Sequence, residues 1–165
     1  MTEHIFLHKT HTLLNAFLKD PMKHIFLTLS LITLSATAAA QMSPVGTWRS
    51  IDEDTKEAKS EVLISDNGGT LSGKVVKILR KDAKQDATCT ECKDDRKDKP
   101  VLGMDIIRGA KKADGREVWE GGKIIDPENG KEYALRLTPI EGGAKLQVRG
   151  SVLFISRTQT WVRVQ

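Results

Sequence analysis

A chain of 165 residues with 26 Lys and Arg against 22 Asp and Glu carries a formal net charge of +4, and 39% of its residues are hydrophobic. That length fits one ordinary domain, and the balance excludes a disordered chain, a collagen and a multi-span membrane protein. All four histidines (His4, His8, His11 and His24) lie at the N-terminus, so the remainder holds no Ser-His-Asp triad, Cys-His pair or His-ligated zinc.

Residues 22–40 read as a secretory signal peptide. Lys23 gives a positive start, Ile25 to Leu34 form an apolar run, and Ala38 and Ala40 supply small residues ahead of Gln41, where cleavage is expected. The apolar run is too short for the roughly 20 residues of a membrane-spanning helix. No stable membrane span is therefore expected after cleavage, and the product is placed in the periplasm or outside the cell. Residues 1–21, with Glu3 and Asp20, are an upstream extension unlike a signal start, which makes Met22 a candidate initiator. Residues 41–165 form the single folded domain. Its charges are evenly mixed, the pattern of a solvated surface rather than a nucleic-acid footprint.

From Val45 onward, period-two stretches recur between turn signals. Strands are predicted at Val45–Ile51, Ala58–Ser65, Leu71–Arg80, Glu117–Asp126, Lys131–Thr138, Ala144–Val152 and Arg157–Val164. Asp66-Asn-Gly-Gly, Asp126-Pro127-Glu-Asn-Gly130 and Pro139-Ile-Glu-Gly-Gly supply turns between them. Gly121-Gly122 inside a strand marks a bulge or sharp bend. Val101 to Ile107 reads equally as a short strand or a turn of helix. Roughly eight antiparallel strands fit an all-β fold, a small closed barrel, with a two-sheet sandwich as the alternative.

Lys81–Pro100 breaks the pattern. Its basic and acidic residues balance, so it reads as a charged, solvated loop. Cys89 and Cys92 sit within it. A redox pair would need a preceding strand and a following helix, and a zinc site would need two more ligands. A small structural disulfide is the favoured reading in an oxidising compartment, one that pins the loop without holding the fold. Redox or metal handling through Cys89 and Cys92 is the alternative. No metal site or cofactor is otherwise implied.

Val45-Gly46-Thr47-Trp48 resembles the Gly-x-Trp opening of lipocalin-like barrels. In those barrels the Trp plugs the closed end under a basic residue of the last strand, a place that Arg163, or alternatively Arg157, would take here. The wider series is Gly46-x-Trp48, Leu71-Ser-Gly73-Lys74, Cys89-x-x-Cys92, Lys99-Pro-Val-Leu-Gly103, Trp119-x-Gly-Gly122, Asp126-Pro127-x-x-Gly130-Lys-x-Tyr133, Leu146-x-Val-Arg149-Gly150 and Arg157-Thr-Gln-Thr-Trp161. In that order it resembles the domain-of-unknown-function family 2147, small exported bacterial proteins with a lipocalin-like barrel. The resemblance implies fold and compartment. It brings no activity and no catalytic residues.

Gly46, Trp48, Trp161 and Arg163 are thus expected to close the barrel structurally, and Asp126, Pro127 and Gly130 to form a turn. Tyr133, Arg149, Arg157 and Gln159 are the candidate ligand contacts. On the last strand Arg157, Gln159, Trp161 and Arg163 share one face and Thr158, Thr160, Val162 and Val164 the other, and either could face inward. Two functions remain open: a binding module for a small amphipathic or anionic ligand, or a non-catalytic envelope protein with a filled barrel. Interior volume separates them, since a cavity of about 300 Å³ or more favours binding. An enzyme is not expected, because Asp105, Asp126 and Cys89 show no paired spacing. The sequence is silent on oligomeric state.

Overall fold

The computed structural model describes residues 42–164. The extension 1–21, the signal segment 22–40 and the junction at Ala40 and Gln41 lie outside the described residues.

Eight strands follow one another around a ring: β1 (Gly46–Ile51), β2 (Ala58–Asp66), β3 (Thr70–Ile78), β4 (Asp105–Lys112), β5 (Trp119–Asp126), β6 (Lys131–Ile140), β7 (Lys145–Val152) and β8 (Ile155–Arg163). Each is antiparallel to the next, and β8 returns to β1 through Trp48↔Arg163 and Arg49↔Val162, which makes a closed barrel rather than a sandwich. Closure leaves no sheet edge exposed. Alternation sets the inner face: Trp48 and Ser50 on β1, Val62 and Ile64 on β2, Leu71 and Val75 on β3, Leu135 and Leu137 on β6, and Leu146 and Val148 on β7 are all buried.

The Gly121-Gly122 signal corresponds to a register shift between Glu120 and Gly122. Gly121 takes φ +78°, and a Cβ on Gly122 would stand 2.3 Å from the Ala110 amide nitrogen, so β5 approaches β4 more closely than any side chain allows. β4 was ambiguous in sequence for a related reason. Two register shifts against β3 and the positive φ of Gly109 break its alternation, leaving adjacent Ile106 and Ile107 both buried. The predicted turn at Pro139 starts later, at a single 3-10 turn over Glu141–Gly143, while Pro139 pairs with Leu146 inside β6. Proline is tolerated there because β5 pairs with β6 only as far as Trp119↔Leu137, so Pro139 has no ladder to donate to on that side.

The charged loop is solvated over most of its length, as its composition implies, but it is also folded on itself. Cys89, Cys92 and Arg96 are buried, and the loop folds on itself through the Thr88↔Pro100 bridge and the bonds Cys89 N–H to Lys99 O (2.9 Å) and Val101 N–H to Ala87 O (2.8 Å). Its return is tied to β3 by Gly103 N–H to Val75 O (2.8 Å) and Val75 N–H to Met104 O (3.0 Å). Balanced charge conceals this because the charged side chains other than Arg96 stay at the surface while the disulfide packs beneath them.

Candidate functional site

The two ends of the barrel differ. At one end Trp48 fills the lumen, its indole N–H donating to Pro44 O at 2.6 Å. Arg163 lies over that ring at 4.1 Å, donating from Nε to Gly143 O (2.7 Å) and from its two Nη atoms to Val45 O (3.0 Å) and Ser43 O (2.8 Å). Burial pulls the guanidinium below its ordinary pKa, yet three carbonyl acceptors and a π face receive its charge. Gly46, at φ +127°, passes directly beside it, and a Cβ there would stand 2.7 Å from an Nη. Arg163 therefore holds the capping position, and Arg157 does not.

Towards the other end the lumen opens into a cavity of about 530 Å³. Its walls are largely apolar: Val75, Ile106, Ile124, Val148 and Trp161, with Ile155 at the mouth. Of the two faces of β8, the one bearing Arg157, Gln159 and Trp161 lines this space. Trp161 is buried and donates its indole N–H to Gln159 Oε1 at 3.2 Å. An indole nitrogen only donates, so Gln159 must turn its oxygen to Trp161 and present its amide NH₂ elsewhere. Ser50 and Ser60 add paired hydroxyls 2.9 Å apart, and Tyr133 a phenol.

The mouth carries an ion-pair network. Arg157 Nε donates to Glu53 at 2.7 Å, which holds the guanidinium above its ordinary pKa. Arg80 reaches Glu128 (2.8 Å) and Asp52 (3.3 Å), and Lys59 reaches Glu128 (3.1 Å). Three cations face three carboxylates, so the entrance is polar without a strong excess of either sign. The sequence marked Arg157 alone from this network. Ser50 and Ser60 were open to discovery, since each shares a strand face with a neighbouring apolar residue, Trp48 and Val62; Arg80 gives no such signal.

The folded loop forms one side of the mouth through Ala83, Ala87, Thr88, Thr90 and Val101. It rests on the turn between β5 and β6, where Gly130 (φ +65°) passes so near that a Cβ would stand 2.0 Å from Glu91 O. Asp126 accepts from the Glu128 and Gly130 amides in the same turn, by side chain and backbone respectively, and the Pro127 carbonyl oxygen lies 3.3 Å from Cys89 Sγ. Cys89 and Cys92 are joined as a disulfide. Arg96 anchors the loop by pairing with Asp94 and Glu132 (3.0 Å) and donating to Asp105 O (3.2 Å). Its hydrogen bond holds Asp94 at a pKa of about 2.

Of the four candidate ligand contacts, Tyr133, Arg157 and Gln159 come together on the cavity wall, whereas Arg149 points outward from β7 and donates to Ser156 Oγ at 2.9 Å. Alternation explains the separation: Arg149 lies between inward-facing Val148 and Gly150. Among the described residues there is no group of three side chains able to hold a metal ion, and no helix is long and apolar enough to cross a membrane.

Residues 46–163 match the model of a family described as uncharacterized protein conserved in bacteria, DUF2147. No curated protein matches the chain. Among solved structures the barrel is similar to protein HP1028 from the human pathogen Helicobacter pylori, described as belonging to the lipocalin family. The TM-score is 0.62 at 18% identity, over 73% of this chain and 82% of the other. At that identity the likeness is one of fold.

Proposed function

We propose that this chain, which belongs to the DUF2147 family of uncharacterized proteins conserved in bacteria, is an exported carrier that binds a small amphipathic molecule inside its barrel. The observation that carries this reading is the cavity of about 530 Å³. A barrel of eight strands can be filled by its own side chains, but this one is filled only at the Trp48 end. The remaining space is of the size and apolar character of small-molecule sites, with few and convergent polar groups. Trp161, Ile124 and Val148 would pack the ligand's apolar part. The Gln159 amide NH₂ calls for an acceptor such as a carbonyl, ether or carboxylate oxygen. Because Arg157, Arg80 and Lys59 already have carboxylate partners, the site favours a polar or singly charged head over a polyanion. Export rests on the signal-like segment 22–40 together with the disulfide, which persists in oxidising compartments.

Native mass spectrometry of protein purified from its own cell, followed by titration with medium-chain fatty acids and their neutral methyl esters under Trp fluorescence, tests the reading. A co-purified small molecule, or saturable binding that Gln159→Leu weakens about tenfold, is expected. No bound mass and no saturable binding across both ligand series would overturn it.

A further inference from the structure

The β7–β8 hairpin ends in Val152-Leu153-Phe154-Ile155, with Leu153 91%, Phe154 103% and Ile155 74% exposed. Val152 pairs with Ile155, so the turn has two residues, and Leu153 takes φ +50°. Two-residue hairpins need positive φ at that position, which ordinarily selects Gly, Asn or Asp. Elsewhere the turns use Gly at such positions, as at Gly68, Gly69 and Gly130, or polar residues, as at Lys56 and Glu141. Here the position carries an apolar leucine, with a wholly exposed phenylalanine beside it. Reversing the chain requires neither apolar side chain, and the barrel covers neither.

We propose that Leu153 and Phe154 insert into the surface of a lipid bilayer and hold the mouth of the cavity against it. The size of the patch argues against a protein partner. Three side chains of this kind bury on the order of 500 Å² at most, well below the ~1,200 Å² of a stable protein interface, and they project as a narrow ridge rather than a flat face. A ridge of that shape suits the boundary between headgroups and acyl chains, where apolar groups sink roughly 5–10 Å. Arg149, facing outward with Ser156 as its partner, stands three to four residues behind the tip, roughly 10–13 Å along the strand. That depth matches lipid phosphates once the tip is inserted. The ridge is also continuous with the cavity, since Ile155 and Arg157 on the same hairpin line its mouth. An amphiphile leaving the bilayer would thus meet the opening without crossing bulk water. The contact is mainly apolar, and the rim charges balance, so it should depend little on ionic strength.

The experiment uses the full coding sequence, with protein purified as its cell processes it, and vesicles of phosphatidylcholine brominated on the acyl chains, with and without phosphatidylglycerol. In Phe154→Trp, the emission added over wild type should shift to shorter wavelength on vesicle addition and be quenched by the bromines. The double variant Leu153→Asn, Phe154→Gly restores ordinary turn residues, so it should fold at least as stably while co-sedimenting with vesicles about tenfold less or lower still. An unquenched Trp at 154, or undiminished sedimentation of the folded double variant, overturns the proposal. So does lipid-free self-association that the double variant abolishes, which would assign the ridge to a second copy of the chain. Fatty-acid titration of the same double variant should be unchanged, so failure at the membrane and failure of the cavity reading are read separately.

Discussion

The Arg163 guanidinium lies 4.1 Å from the centroid of the Trp48 ring, joining the first strand to the last at the residue pair that also opens the β1–β8 ladder. The same three carbonyls that fix Arg163 belong to the entering chain and to the β6–β7 turn, so one side chain ties three separate segments across the closed end. Trp48→Ala should cost about 3–5 kcal/mol through the cavity it leaves. Arg163→Ala should cost about 2–3 kcal/mol through lost charged hydrogen bonds, and the double variant should cost less than the sum, because each partner supports the other. Arg149→Ala, on the outer face, should stay within about 0.5 kcal/mol of wild type. Urea melts of the four proteins check all of this.

Gly46 tests the same closure from the backbone. Its φ of +127° and the 2.7 Å approach of Arg163 to a Cβ position mean that alanine strains the chain and displaces the guanidinium together. Gly46→Ala should destabilise by about 2 kcal/mol, and the part due to the displaced guanidinium should vanish when the change is made in Arg163→Ala, while the backbone strain remains. If the two penalties simply add, the glycine acts through its φ alone.

The closed end was legible in sequence because it depends on strand order and alternation. Gly46-x-Trp48 near the start and Arg163 near the end meet in any up-and-down barrel, and Trp161 and Gln159 share Arg163's face whichever way it points. Which way it points was not legible, since β8 alternates polar and mixed residues on both faces, and burial is decided by the neighbouring strands. The buried residues of the charged loop are not legible for a different reason. Cys89, Cys92 and Arg96 are buried by contacts with Pro127, Gly130 and Glu132, some 36–40 positions away in the chain, and local composition records nothing of such contacts. Arg149 and Arg157 are alike in chemistry, and a strict count of alternation from buried Val148 separates them.

Burial changes what the disulfide should do. Closing so short a loop is worth about 2 kcal/mol, so Cys89→Ala with Cys92→Ala should lose roughly that amount. Replacement by serine should cost about 1–3 kcal/mol more, because two hydroxyls would then be buried beneath the loop. Thermal melts of the two double variants make the comparison. Equal midpoints would mean that the loop lifts away and hydrates once the bond is gone. Gly130→Ala should unseat the loop directly, its Cβ colliding with Glu91 O, and proteolysis between Lys81 and Lys99 should accelerate while the barrel stays folded.

Ile124 lines the cavity and is only partly buried, so Ile124→Trp can fill the space from the wall with little rearrangement of the barrel. It should remain within about 1 kcal/mol of wild-type stability and lose saturable binding of the ligands that wild type takes. Gln159→Leu should act differently, keeping affinity for the neutral apolar part while losing discrimination between ligands with and without an acceptor oxygen. Parallel titrations of the two variants distinguish a volume effect from a polar one.

Acid should loosen the loop before it unfolds the barrel. The Arg96 hydrogen bond holds the Asp94 carboxyl at about 2 against an ordinary 3.8, and Glu132 is lowered by Lys123 and by Arg96. A depressed carboxylate pKa means that the folded form binds the proton less readily than the unfolded one. The stabilisation from Asp94 is therefore complete above about pH 4 and is lost as pH falls towards 2. Asp94 is 40% exposed in its side chain, so solvent screening reduces the contribution to about 1 kcal/mol. Asp94→Asn should be less stable than wild type at neutral pH, and the two melting temperatures should converge between pH 4 and pH 2. Arg96→Ala should reproduce the convergence, because it removes the donor that depresses Asp94, while Lys123 still lowers Glu132. A gap that stays constant across that window would show that Asp94 holds the loop by hydrogen-bond geometry alone, with its charge contributing nothing.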